Sequence, residues 1–226
     1  MQKGNLVVIE GSGDGIGKST QVAYLKEHLN NDGIDVYMHH FPTYDTSFGE
    51  LIVKYLKGEL GTDKSKLSPY FINTLYAMDR AAQWSENLGD IYENGGFILL
   101  DRYTTSSMIY QSVYLSLDEK KRFIDYVRDF EYNKLGIAEP DKVIFLHAPF
   151  ELTTELRNKR FGNPGVSNDI HERDLDFMKR VYENSMWIAD YLGWDDVDCA
   201  PDGNKFASID DIHKKVYQKV KSLDVK

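Results

Sequence analysis

Short apolar runs alternate with longer amphipathic stretches along this chain. "NLVVIE" (5–10) is a continuous apolar run that ends in glycine, the pattern of a strand buried on both faces. "DVYMHHF" (35–41), "GFILLD" (96–101), "KVIFLHA" (142–148) and the weaker "DDVDCA" (195–200) predict four more strands. Between them the spacing turns helical. Val22, Leu25 and Leu29 recur at that spacing over 19–31, with Gly33 as the stop. Over 70–84, Phe71, Leu75, Met78 and Ala82 form an apolar stripe, while Tyr76 and Arg80 share another side of the same helix. Ile209, Ile212, Val216 and Val220 form a stripe near the end of the chain, with Ser208 placed as N-cap and Lys219 and Lys221 suited to the dipole at the C-terminus. Both stripes are expected to face the core. Strand and helix in alternation predict an α/β fold with a parallel sheet covered on both faces.

Composition narrows the function classes. The 226 residues show no repeat, low-complexity segment or linker, so a single domain over 1–226 is expected. No run approaches the roughly 18 apolar residues of a membrane span. "MQKGNLVVIEG" is too short and too soon interrupted for a signal peptide. One cysteine, Cys199, excludes an internal disulfide framework and suggests a reducing, cytoplasmic location. The net charge of −9 argues against nucleic-acid binding over a broad surface. An anionic substrate must therefore be met by local clusters of Arg and Lys. His39, His40 and His147 have no metal-ligand spacing and read as packing or strand-end residues.

The first such cluster follows the first strand. "EGSGDGIGKST" (10–20) carries the Gly-Lys-Ser of a phosphate-binding loop, but Gly11 is one place too early for the usual four-residue spacing and Ser12 stands where glycine is expected. Either the loop is one residue longer or Ser12 replaces the glycine. The strand before and the helix after supply the setting such a loop needs: backbone N–H groups and a helix N-terminus directed at phosphate. Gly13, Gly15, Ile16, Gly17, Lys18, Ser19 and Thr20 are the ATP-binding candidates, with Lys18 on the β/γ-phosphates and Ser19 on Mg²⁺. Asp101, at the carboxyl end of a buried strand, points into the crevice where such sheets bind ligands and is a second Mg²⁺ candidate. Arg102 reaches the same crevice only if the strand ends at Asp101.

"DGIGKST", "LYAMDR" (75–80), "DRYTTSSMIYQ" (101–111) and "PDKVIFLHAP" (140–149), in this order and with these gaps, resemble the thymidylate kinase family. The resemblance runs from about residue 5 to the last helix. It implies a three-layer P-loop kinase fold of about five parallel strands with a short mobile lid, and transfer of the γ-phosphoryl group of ATP to dTMP with Mg²⁺. By the same resemblance Asp14 contacts the deoxyribose 3′-hydroxyl, Tyr76 stacks on thymine and Arg80 bonds its O4. Arg102 holds the acceptor phosphate, Tyr110 walls off the sugar 2′ position, and Gln111 reads the N3 edge. Family members commonly form homodimers through helices near 49–58 and 70–88, so a homodimer is expected.

The segment 156–174 has no apolar period and corresponds to the family's lid, inserted in the one domain. Some members carry a catalytic arginine in the phosphate loop, at the place of Gly15. With glycine there, the charge is expected from the lid, with Arg157 and Arg160 as candidates and Arg173 behind them. Two departures stand out. Tyr44 occupies the place of an arginine that helps grip the monophosphate, and Asn168-Asp169-Ile170-His171 replaces a common lid sequence. An acceptor other than dTMP therefore remains as an alternative, including a nucleoside, for which Glu10 is placed to act as base. A nucleotide-binding regulator without turnover is the alternative of another class. The chain has no Asn-Lys-x-Asp guanine reader and no obvious glutamine after Asp101 to orient water.

Overall fold

The computed structural model describes residues 3–61, 67–161 and 174–223. The strands β1 (Asn5–Gly11), β2 (Val36–His40), β3 (Phe97–Asp101), β4 (Lys142–His147) and β5 (Asp195–Asp198) form one sheet in the order β2-β3-β1-β4-β5. Every pairing is parallel, and β1 lies at the centre with Ile9 opposite both Asp101 and Ile144. The apolar runs become strands because both of their faces are covered. Val7, Ile9, Leu99 and Leu146 pack on one face against Val22, Leu25 and Leu29 of α1 (Lys18–Asn31) and Val216 and Val220 of α9 (Ile209–Lys221). Leu6, Val8, Ile98 and Leu100 point the other way, against Phe41, Leu88 and Tyr103. A third apolar cluster joins α5 (Thr104–Gln111), α6 (Leu117–Arg128) and α8 (Leu175–Leu192) through Met108, Phe123, Val127, Phe177 and Ile188.

Local signals fix the ends of these helices. Ser208 accepts a hydrogen bond from the Asp211 N–H and caps α9, whose last turn carries Lys219 and Lys221. Gly33 takes a left-handed φ of 85° just past α1. Of the α9 stripe, Ile212, Val216 and Val220 are buried, whereas Ile209, at the first helical position, is exposed.

The stripe on α3 (Pro69–Gln83) corrects the sequence expectation. Phe71 and Met78 are exposed, and Leu75 and Ala82 are only half-buried. The buried face instead carries Ile72, Asn73, Ala77, Asp79 and Arg80. A helical period shows that two faces differ but not which one meets the core, and here Asp79 and Arg80, paired with Thr43 and Glu131, take the inner side. Beside α3 lies α2 (Ser47–Leu56), capped by Thr46, whose side chain accepts from the Gly49 N–H. The remaining helices are α4 (Gly89–Glu93) and α7 (Phe150–Phe161), with π-helical turns at Trp84–Leu88 and Asp129–Lys134. Among the described residues no helix is long and apolar enough to cross a membrane.

Candidate active site

The chain crosses from β1 to β2 on one side of the sheet and from β3 to β4 past the other side of β1. The crevice at the carboxyl ends of β1 and β3 is therefore the switch point where such sheets bind ligands. The loop after β1 settles the glycine spacing. Gly11 is the last strand residue, paired opposite Leu146, and a Cβ there would stand 2.6 Å from Ile16 Cγ2. Gly11 is thus required by close packing, and five residues, not four, separate it from Gly17. Gly15 and Gly17 hold φ of 89° and 95°, where side chains are strained. Lys18 folds back over the loop, with Nζ 3.5 Å from the Gly13 carbonyl oxygen and 3.9 Å from Asp14 Oδ1. Ile16 lies in the core, so from this position only the backbone faces a ligand. Ser19 is exposed and Thr20 half-buried in the first turn of α1.

Asp101 ends β3, and Arg102 leaves the strand in the left-handed region with φ 68°, the only described residue besides glycine to do so. The condition for Arg102 to turn into the crevice is met. Its guanidinium donates to Asp14 Oδ1 and, over 3.3 Å, to Ser106 Oγ. It also lies 3.7 Å from Glu10 Oε1 and 5.4 Å from the Tyr110 ring centre. Burial pushes the Asp14 carboxyl up, but Arg102, Lys18 and Arg157 outweigh it and hold the group below its ordinary range.

Ser19 Oγ donates to Asp101 Oδ2 over 3.0 Å. The other Asp101 oxygen is buried without a partner among the described residues. Burial raises this carboxyl's pKa, yet the His40 hydrogen bond, Lys18 and Arg102 bring it down to about 2. An ionised carboxylate beside a hydroxyl is a hard oxygen pair suited to Mg²⁺, and such an ion would draw its other ligands from water and phosphate. The fit is good.

Next to the loop a cavity of about 250 Å³ is lined by Asp14, Tyr44, Tyr76, Arg80, Arg102, Tyr110 and Gln111, so every acceptor-site candidate from the sequence meets there. Arg80 is 2% exposed, and its Nε and Nη2 donate to the two carboxylate oxygens of Glu131 at 2.6 and 2.7 Å. Nη2 also reaches Ser107 Oγ at 3.0 Å. Gln111 Oε1 is buried without a partner among the described residues, an acceptor available to a donor on the ligand. Tyr44 stands half-exposed at the rim.

Three residues of this site were not singled out in the sequence for the parts they play. Glu131, wholly buried on the π-helical turn after α6, fixes the Arg80 fork. Its signal was a carboxylate four residues after Val127 on the inward face of α6. Asp79, next to Arg80, accepts from the Thr43 N–H at 2.9 Å and ties the β2–α2 turn to α3. His40 lines the cavity with Nδ1 3.4 Å from Asp101 Oδ2. Glu10, weighed as a base for nucleoside acceptors, is fully enclosed. Its Oε2 accepts from Thr105 and Ser106 hydroxyls, and its Oε1 from the Gly11 N–H. It is a brace, enclosed behind the lining of the cavity.

Of the lid candidates, Arg157 lies on the inner side of α7, 7% exposed, against Ser12, Gly13 and Asp14. A Cβ on Gly15 would stand 3.2 Å from the Arg157 backbone nitrogen. The helix that carries Arg157 thus occupies the space a loop side chain would need. Arg160 follows in α7. Arg173 and most of the 156–174 segment, including Asn168 to His171, fall outside the described residues.

A family model described as thymidylate kinase matches residues 9–194. Curated relatives include a thymidylate kinase of Plasmodium falciparum, 27% identical over 99% of this chain and 93% of that protein. One of Mycobacterium tuberculosis is 31% identical over 78% of this chain and 81% of its own length. A probable thymidylate kinase of Thermococcus onnurineus is 30% identical over 93% and 94%. Among solved structures, the thymidylate kinase of Candida albicans is similar with a TM-score of 0.67 and 25% identity, covering 97% of this chain and 92% of that one.

Proposed function

The chain belongs to the thymidylate kinase family, and we propose that the crevice between the phosphate loop and α3 is where it carries out that family's reaction. The protein transfers the γ-phosphoryl group of ATP to dTMP, giving dTDP and ADP. The observation that supports the site assignment is the cavity beside the loop, where the Tyr76 ring, the fixed Arg80 guanidinium and Arg102 converge.

In this reading Gly13 to Thr20 cradle the ATP phosphates, with Lys18 on the β- and γ-oxygens. Ser19 and Asp101 would hold Mg²⁺, which would supply charge neutralisation at these phosphates. Tyr76 stacks on thymine, Arg80 donates to its O4 and Gln111 accepts from its N3–H. Arg102 grips the acceptor phosphate, Asp14 receives the 3′-hydroxyl, and Tyr44 adds a hydroxyl at the rim. An acceptor phosphate oxygen attacks the γ-phosphorus, and the bond to the β–γ bridging oxygen breaks as ADP leaves. That oxygen is already ionised near neutral pH, so no base is required, in keeping with an enclosed Glu10. Arg157, with Arg160 beyond it, offsets charge on the transferring group. The single buried thiol of Cys199 supports a cytoplasmic setting.

The test is ADP release from Mg-ATP with dTMP, dUMP, dCMP, dGMP and AMP at equal concentration. The reading expects a strong preference for dTMP, abolished in Lys18→Ala and Arg102→Ala. Preference for another monophosphate would overturn the acceptor assignment, and ATP binding without any transfer would overturn the enzyme.

A further inference from the structure

The residue that lengthens the phosphate loop has a side chain the phosphate cradle does not use. Ser12 is fixed at the base of the loop by its N–H, which donates to the Leu146 carbonyl oxygen at 2.9 Å. Its side chain is 2% exposed, and Oγ has no hydrogen-bond partner among the described residues. Native proteins pair nearly all buried hydroxyls, with protein or with ordered water. Ser12, Gly13 and Asp14 line a cavity of about 10 Å³ whose other walls are α7, at Phe150, Thr153, Thr154 and Arg157, and Met178 of α8. That is room for one water molecule. A little further along, the loop meets α7 again. At Gly15 a Cβ would lie 3.1 Å from the Thr153 carbonyl oxygen and 3.2 Å from the Arg157 nitrogen. The extended loop therefore faces polar groups of α7 at Ser12 and presses on its backbone at Gly15.

We propose that Ser12 is a positioning residue: through one buried water it ties the phosphate loop to α7 and so holds Arg157 beside the transferring phosphoryl group. The inference rests on the phosphotransfer reading above. An arginine side chain is long, and where its guanidinium can reach is set by where its helix stands. Misplacement of a catalytic group by about 1 Å can cost on the order of a hundredfold in rate. Ser12 touches neither nucleotide in this reading, so its loss acts only through Arg157.

The experiment compares the full chain with Ser12→Ala, Arg157→Ala and the double variant in Mg-ATP and dTMP. Ser12→Ala should lower kcat about tenfold with both KM values within about twofold, the pattern of an interaction made in the transition state. The double variant should be no slower than Arg157→Ala alone. Without nucleotide, backbone deuterium exchange in α7 should quicken in Ser12→Ala, while β1 stays protected. An unchanged kcat in Ser12→Ala, or losses that simply add in the double variant, overturns the proposal. If the unaltered protein does not phosphorylate dTMP, the functional reading fails on its own, and exchange in α7 decides the docking role of Ser12: unchanged exchange sinks it.

Discussion

Arg102 and Arg80 are both guanidiniums in one cavity, yet their surroundings assign them different tasks. Arg102 sits at a left-handed φ of 68°, a conformation that costs a non-glycine residue about 1–3 kcal/mol and tends to persist where function requires it. Its partners, Asp14 and Ser106, lie at the mouth of the cavity, so a phosphate can join them. Replacing it by lysine keeps the charge and loses the fork. Hydrogen bonds to charged groups are worth about 1.5–3 kcal/mol, so Arg102→Lys should raise KM for dTMP by about tenfold or more and leave KM for ATP nearly unchanged. Steady-state kinetics with each substrate varied would check this, and an equal rise in both would contradict it. Arg80 instead is locked by Glu131, with both side chains 2% exposed or less. Taking one charge from such a pair leaves the other buried and uncompensated, at a cost of about 3–5 kcal/mol. Glu131→Gln should therefore unfold at markedly lower urea, and a loss under about 1 kcal/mol would mean that water reaches the pair. The arginines were legible in the sequence and Glu131 was not. A short motif marks a position, whereas the partner of Arg80 is 51 residues away and only the fold brings it near.

At the scale of elements, β1, β3 and β4 were legible because a strand covered on both faces is apolar along most of its length, while the half-exposed edge strands β2 and β5 gave weaker patterns. The inner face of α3 was not, because its burial depends on Asp79 and Arg80 finding Thr43 and Glu131. The junction of α1 and α9 was also missed, since no motif marks its polar members. There His28 Nδ1 and His213 Nε2 lie 2.9 Å apart. The His28 ring stacks on Tyr217 at 3.8 Å, and the Tyr217 hydroxyl donates to Asp32. Burial, and then His28, lower the pKa of His213, against an opposing Asp210. His39 is shifted the same way by burial and His40. A base with a depressed folded pKa contributes stability above its unfolded pKa, about 6.5. Below that the unfolded chain takes up the proton first, and stability falls until the folded pKa is passed. The protein should melt lower at pH 5.5 than at pH 7.5, and His213→Gln should remove part of that difference. Identical melting temperatures at the two pH values would show that the rings ionise freely in the fold.

For the molecule as a whole, the stripe that failed to enter the core still needs an explanation. Phe71 and Met78 of α3 and Leu51 of α2 are all exposed, on two helices that pack together. Scattered exposed apolar residues are ordinary, but exposed apolar residues at helical spacing on adjacent helices are a candidate contact surface for another chain. A second copy of this chain is the occupant the resemblance to the family implies, meeting the same two helices around a twofold axis. Such an interface would be apolar at its centre, where an added carboxylate has no partner. Phe71→Asp should convert a dimer into monomers at micromolar concentration, as read by sedimentation velocity, and should leave the fold intact because the side chain is outside the core. The effect should extend into the acceptor site. The same helix carries Tyr76 towards the cavity and Arg80 on its buried side. If the dimer contact steadies α3, the monomeric variant should show a higher KM for dTMP with little change in KM for ATP. A monomeric unaltered protein would refute the dimer outright. A monomeric variant with unchanged KM values would leave the interface standing but separate it from the site, and α3 would then be held in register by its contacts within the chain, the Arg80–Glu131 pair and the Asp79–Thr43 hydrogen bond among them.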